Sequence, residues 1–160
     1  MGGVRNTLIG LTAAVGLLAG AAPAGALGIS IPSTGTLTGL APGGTSTASN
    51  ISLTVTGVLA PWSVSVTPEA SATPGRMRST GVGCANSPAA LTKPLHVTAV
   101  RGLVTTTIDN ASFDLGSSAT QFAHGTVADT LTLGYSQQVL SSEPLVTGCQ
   151  YQITLTFTAS

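Results

Sequence analysis

Apolar and polar residues alternate with period two along residues 50–67, NISLTVTGVLAPWSVSVT, and the alternation occurs twice. Ile51, Leu53 and Val55 alternate with Ser and Thr in the first half; Trp62, Val64 and Val66 do so in the second. Such alternation predicts two half-buried β-strands. Gly57 and Pro61 bracket the linker between them, so the chain is expected to turn there. Trp62 and the aliphatic residues then need a second apolar sheet face, and residues 151–158 are expected to supply part of it. In that closing stretch Tyr151, Ile153, Leu155 and Phe157 share one parity while Gln152, Thr154, Thr156 and Thr158 share the other.

The rest of the chain repeats the pattern less cleanly. Residues 27–32 (LGISIP) read as a short edge strand stopped by Pro32. Residues 33–49 are Ser, Thr and Gly with Leu37 and Leu40 as apolar anchors, which suggests a segment lying along the domain. Residues 68–90 form the longest predicted loop, and a loop of that length is either functional or tied down. Strands are predicted over 95–100, with a continuation of unclear facing over 103–108, and over 130–140 with Gly134 as a bulge. Phe113, Leu115 and Phe122 are expected core contacts.

Six to eight strands and no helix predict an all-β fold, an antiparallel two-sheet sandwich of immunoglobulin-like type. A closed barrel is the alternative, and the uneven strand spacing favours the sandwich.

The first 26 residues read differently. Arg5 precedes an apolar run over 8–18, and Ala24-Gly25-Ala26 offers the small residues that a signal peptidase reads. The run is shorter than the roughly 20 residues that a membrane-spanning helix needs. Residues 1–26 are therefore expected to be a signal peptide and 27–160 a single secreted β-sandwich domain, with no transmembrane segment in the mature chain.

Charge changes the picture by exclusion. Only 6% of residues are charged, and loss of Arg5 leaves four basic against five acidic side chains. With no basic stripe to neutralise phosphates, nucleic acid is an unexpected partner. Cys84 and Cys149, the two cysteines of an exported chain, are expected to form a disulfide worth roughly 4 kcal/mol.

Candidate chemistry is sparse. His96 falls on the polar parity of its strand and His124 beside Gly125 in a predicted loop, and neither belongs to a nucleophile or zinc motif. Glu69, Asp109, Asp114, Asp129 and Glu143 lie near turns without the spacing of a calcium loop. Neither catalysis nor a cofactor is expected. Asn50-Ile51-Ser52 and Asn110-Ala111-Ser112 match the glycosylation pattern, which has meaning only in a glycosylating cell. Trp62 is a conceivable sugar platform, but its inward parity places it in the core first.

The run LTVTGVLAPWSVSVT, followed at the C-terminus by YQITLTFTAS, resembles the WxL domain of secreted bacterial cell-surface proteins. Trp62-Ser63-Val64 stands at the Trp-x-Leu position, with Val64 in place of Leu. Tyr151 and Leu155-Thr156-Phe157-Thr158 stand at the closing motif, with Phe157 in place of the second Trp. The cysteine pair is not part of that pattern. The resemblance implies noncovalent attachment to the cell envelope, with cell-wall polysaccharide or another exported surface protein as partner. A self-assembling fibre or surface-layer subunit is the alternative, because edge strands this poor in charge are weakly guarded, and a small secreted hydrolase ranks last.

Overall fold

A computed structural model describes residues 8–14, 27–31, 36–56, 61–80, 84, 88–145 and 149–160. The described residues form twelve strands: β1 (Leu8–Ala14), β2 (Gly28–Ser30), β3 (Thr36–Thr38), β4 (Thr45–Thr56), β5 (Trp62–Pro68), β6 (Arg78–Thr80), β7 (His96–Val100), β8 (Thr107–Ile108), β9 (Ser112–Asp114), β10 (Thr120–Gly125), β11 (Asp129–Gln138) and β12 (Gln150–Ala159). They make two packed sheets. One has the order β3-β1-β12-β5-β10-β8 with β6 also on β12, the other β2-β4-β11-β7-β9. Pairing is antiparallel throughout except between β1 and β12. The expected two-sheet antiparallel sandwich is thus the fold. Among the described residues no helix is long and apolar enough to cross a membrane.

Period-two alternation produces this packing directly, because every second side chain of a strand faces the opposite sheet. Trp62, Val64 and Val66 of β5 and Tyr151, Ile153, Leu155 and Phe157 of β12 are all buried. Ile51, Leu53 and Val55 of β4 and Leu131, Leu133 and Tyr135 of β11 are buried in the other sheet. The two strands of residues 50–67 belong to different sheets, so the chain crosses from one layer to the other instead of folding back as a hairpin. Residues 57–60 of that linker lie outside the described residues. β12 also lies beside β5, pairing Leu155 with Pro68 and Phe157 with Val66, so it extends the sheet that carries Trp62 and does not cover it from across the core.

Several expectations shift in detail. Leu37 and Leu40 are buried as anticipated, but the polar stretch after them is the first half of a twelve-residue strand, because Thr45, Ser46, Thr47 and Ala48 pair with the end of β11. Residues 101–106 turn instead of continuing as a strand. The Asp129 carboxylate accepts the Leu103 N–H at 3.1 Å, and a Cβ on Gly102 would lie 2.5 Å from the Thr130 carbonyl oxygen, so the loop is drawn closely over the start of β11. Gly134 does sit at a bulge, where the β11–β4 register slips between Leu133 and Tyr135.

The long segment after β5 is tied down. Cys84 and Cys149 are disulfide-bonded with Cα atoms 5.5 Å apart. Arg78 pairs with Glu69, the Leu91 N–H donates to the Met77 carbonyl at 2.9 Å, and Met77 and Leu91 are fully buried. Leu8–Ala14, inside the expected signal peptide, forms β1, while residues 1–7 and 15–26 lie outside the described residues.

Burial raises the ionisation of the Tyr135 phenol well above its ordinary range. A phenol whose folded pKa exceeds its unfolded value contributes stability that is complete below the unfolded value of about 10 and is lost as pH rises beyond it. Absorbance titration at 295 nm should therefore show the Tyr135 phenolate appearing only together with alkaline unfolding. A reversible phenolate assigned to Tyr135 in the folded protein would contradict its burial.

Candidate functional site

The outer face of the five-stranded sheet carries a row of polar side chains. Register places Thr47 beside Ser136, Ser136 beside His96, and His96 beside Asp114, a row that crosses β4, β11, β7 and β9. One step along the strands, Gly134 pairs with Thr98 and Thr98 with Ser112. Gly134 has no side chain, and the Thr98 hydroxyl reaches over it, so that a Cβ there would lie 2.5 Å from Thr98 Oγ1. A depression of about 290 Å³ lies there, lined by Thr47, Ala48, Thr98, Gly134, Tyr135 and Ser136. Ser136 also lines an adjoining cleft of about 270 Å³ formed with Thr45, Lys93, Pro94, His96, Asp114 and Gln138. Together they make one shallow groove across four strands.

His96 is held from both sides. Its Nδ1 donates to Asp114 Oδ1 at 2.7 Å, which in the neutral ring leaves Nε2 to accept from the Ser112 hydroxyl at 2.8 Å. The i, i+2 spacing of Ser112 and Asp114 on β9 puts both on one face, opposite the outward parity of His96 on β7. The order of atoms is that of a hydrolase relay. However, the His96 and Asp114 side chains are 38% and 63% exposed, so water competes for every bond in it. Hydroxyl, amide, imidazole, ammonium and carboxylate groups in one open groove are suited to hydrogen-bonding a polyhydroxylated ligand.

A second histidine lies on the other sheet. His124 is on β10 and not in a loop, and its Nδ1 contacts both oxygens of Asp109 at 2.9 and 3.0 Å. Hydrogen bonds from Gln121 and then from His124 hold the Asp109 carboxyl below its ordinary value. Two other carboxylates are buried fasteners. Glu143 accepts the Thr92 and Leu140 N–H groups, both at 2.6 Å, and Asp129 accepts the N–H groups of Leu103 and Thr130. Among the described residues no three His, Cys, Asp or Glu side chains come together as a metal site.

The family-motif positions lie elsewhere. Trp62, Val64, Tyr151, Leu155 and Phe157 are brought together, but inside the core, each 3% exposed or less. Trp62 Nε1 donates to the Val127 carbonyl at 2.8 Å and Tyr151 Oη to that of Pro88 at 3.0 Å, which satisfies the polar ends of two buried rings. Phe157 meets Phe122 edge-on at 6.2 Å. None of these side chains forms a surface platform. The groove residues were harder to read from sequence: the outward parity of His96 was visible, but its company with Ser112, Asp114, Ser136 and Gln138 depends on strand order.

Comparison with known protein families, with curated proteins and with solved structures finds no match. What fold and surface together define is a disulfide-closed β-sandwich with a polar groove on one outer face.

Proposed function

We propose that this chain is an exported, non-enzymatic bacterial envelope protein that attaches noncovalently to neutral cell-wall polysaccharide through the groove over Gly134 and His96. The observation that carries this reading is the groove itself, a run of hydrogen-bonding side chains along two depressions that meet at Ser136. The motif positions Trp62, Val64, Tyr151, Leu155 and Phe157, which resemble those of WxL domains, act in this reading as the core that holds the two sheets together. Sugar hydroxyls are met here by hydrogen-bonding groups without a stacking aromatic side chain among the described residues, so binding at each groove is weak.

Co-sedimentation of the exported protein with purified cell walls tests the proposal. His96→Ala combined with Gln138→Ala should lower retention several-fold while leaving the melting temperature within a few degrees, because both side chains lie on an open face. Unchanged retention would remove the groove from the function.

A small hydrolase is the second reading, favoured by the Asp114–His96–Ser112 order of hydrogen bonds. Exposure of the relay on an open sheet face argues against it, since a nucleophile is activated best where water is excluded. Ester hydrolysis abolished by Ser112→Ala, with wall retention intact, would reverse the order of the two readings.

A further inference from the structure

The last strand is flanked on one side only by residues expected to leave the protein. Toward β5 and β6, β12 is paired along its length: Leu155 to Ala159 lie against Pro68 to Val64, and Gln150 to Gln152 against Thr80 to Arg78. On its other side the sole partner among the described residues is β1, which pairs Leu11, Thr12, Ala13 and Ala14 with Ile153, Thr154, Leu155 and Thr156. Removal of residues 1–26 at export would turn β12 into an edge.

That edge is unguarded. Natural sheets protect exposed edges with charges, proline, bulges or short strands. β12 has ten residues, QYQITLTFTA, with no charged residue and no proline. Its outward backbone groups follow from the ladder to β5. The Ser160 N–H and carbonyl bond to Ser63, and the Thr154 carbonyl accepts the Glu69 N–H at 2.9 Å, so even-numbered residues bond inward. The N–H and carbonyl groups of Tyr151, Ile153, Leu155, Phe157 and Ala159 therefore face β1.

We infer that, once residues 1–26 are removed, the outer edge of β12 pairs antiparallel with the same edge of a second copy, forming a two-fold homodimer with one continuous sheet. The inference rests on the export reading, because β1 caps the edge while it is attached. A second copy fits because the edge complements itself. Antiparallel pairing of outward-facing residues centred on Leu155 places Thr154 opposite Thr156 of the partner subunit and Gln152 opposite Thr158 of the partner subunit. Thr–Thr pairs are favourable across strands, and no like charges meet. On the inner side the register extends the two apolar cores end to end. The symmetry uses each edge once and closes at two chains. β1 acts before export as an internal cap that delays association.

The test uses protein released to the medium by a secreting host carrying the full chain. Intact mass reports whether residues 1–26 are gone, and light scattering after gel filtration reports the assembly. The expected result is a processed chain at twice its monomer mass. Thr154→Lys with Thr156→Lys, two side chains on the outer face of β12, should convert it to a monomer with an unchanged far-ultraviolet spectrum. A synthetic peptide of residues 7–15 should likewise split the dimer. A processed protein that stays monomeric overturns the edge pairing alone, and a released protein that retains residues 8–14 overturns it together with the export reading. A dimer indifferent to both the lysines and the peptide, or a ladder of higher oligomers, overturns the closed β12 interface.

Discussion

Reduction of the Cys84–Cys149 bridge is expected to lower the melting temperature by roughly 10 to 20 °C. The bridge spans 65 positions in sequence, and cross-linking a loop of that length removes about 4 kcal/mol of conformational freedom from the unfolded chain. Location adds to the effect. Cys84 follows β6 and Cys149 precedes β12, so the bond fastens the excursion after β5 to the strand on which β6 pairs by only three residues. Thermal unfolding with and without reductant, and of Cys84→Ser, measures it. Coincident melting curves would mean that Met77, Leu91 and the Arg78–Glu69 pair hold this region without the bridge.

Trp62→Ala should cost about 3 to 5 kcal/mol, the usual range for a large aromatic residue removed from a core. The indole is 3% exposed, and its removal also strands the Val127 carbonyl that accepts from Nε1. Gly125 records how tightly the ring is held, because a Cβ there would lie 2.6 Å from Trp62 Cζ2. Trp62→Phe should restore much of the loss by filling the space without the hydrogen bond. As Trp62 is the only tryptophan, its fluorescence reports the transition directly in denaturant titration. A Trp62→Ala protein as stable as the parent would refute the core assignment. Loss of wall retention in this variant would therefore report unfolding, whereas the groove variants test contact with the wall.

The interior and the surface divide the labour of this chain. Alternating aliphatic and aromatic residues make the sandwich, while Ser, Thr and Gln with few charges cover it. Apolar side chains do emerge at one loop tip, where Leu103 and Val104 are 46% and 85% exposed. The β propensity of residues 103–108 predicted a strand there, yet only Thr107 and Ile108 pair, because the buried Asp129 carboxylate captures the preceding backbone as a turn.

Local pattern was sufficient to determine the all-β class, the inward face of β5, β11 and β12, the burial of Leu37 and Leu40, the bulge at Gly134 and the partnership of the cysteines. Each follows from period-two alternation, from a missing side chain or from the scarcity of thiols, all of which are properties of neighbouring residues or of composition. Strand order is different, because it depends on which edges meet after the chain has crossed between layers. Only the tertiary structure could place β12 beside β5, bring Ser112 and Asp114 to His96, or set Ser136 and Gln138 along the same groove. It also decided that Leu8–Ala14 lies on the edge of β12, since an uncharged apolar run has the composition of both an export signal and a strand, and an unpaired backbone edge accepts either.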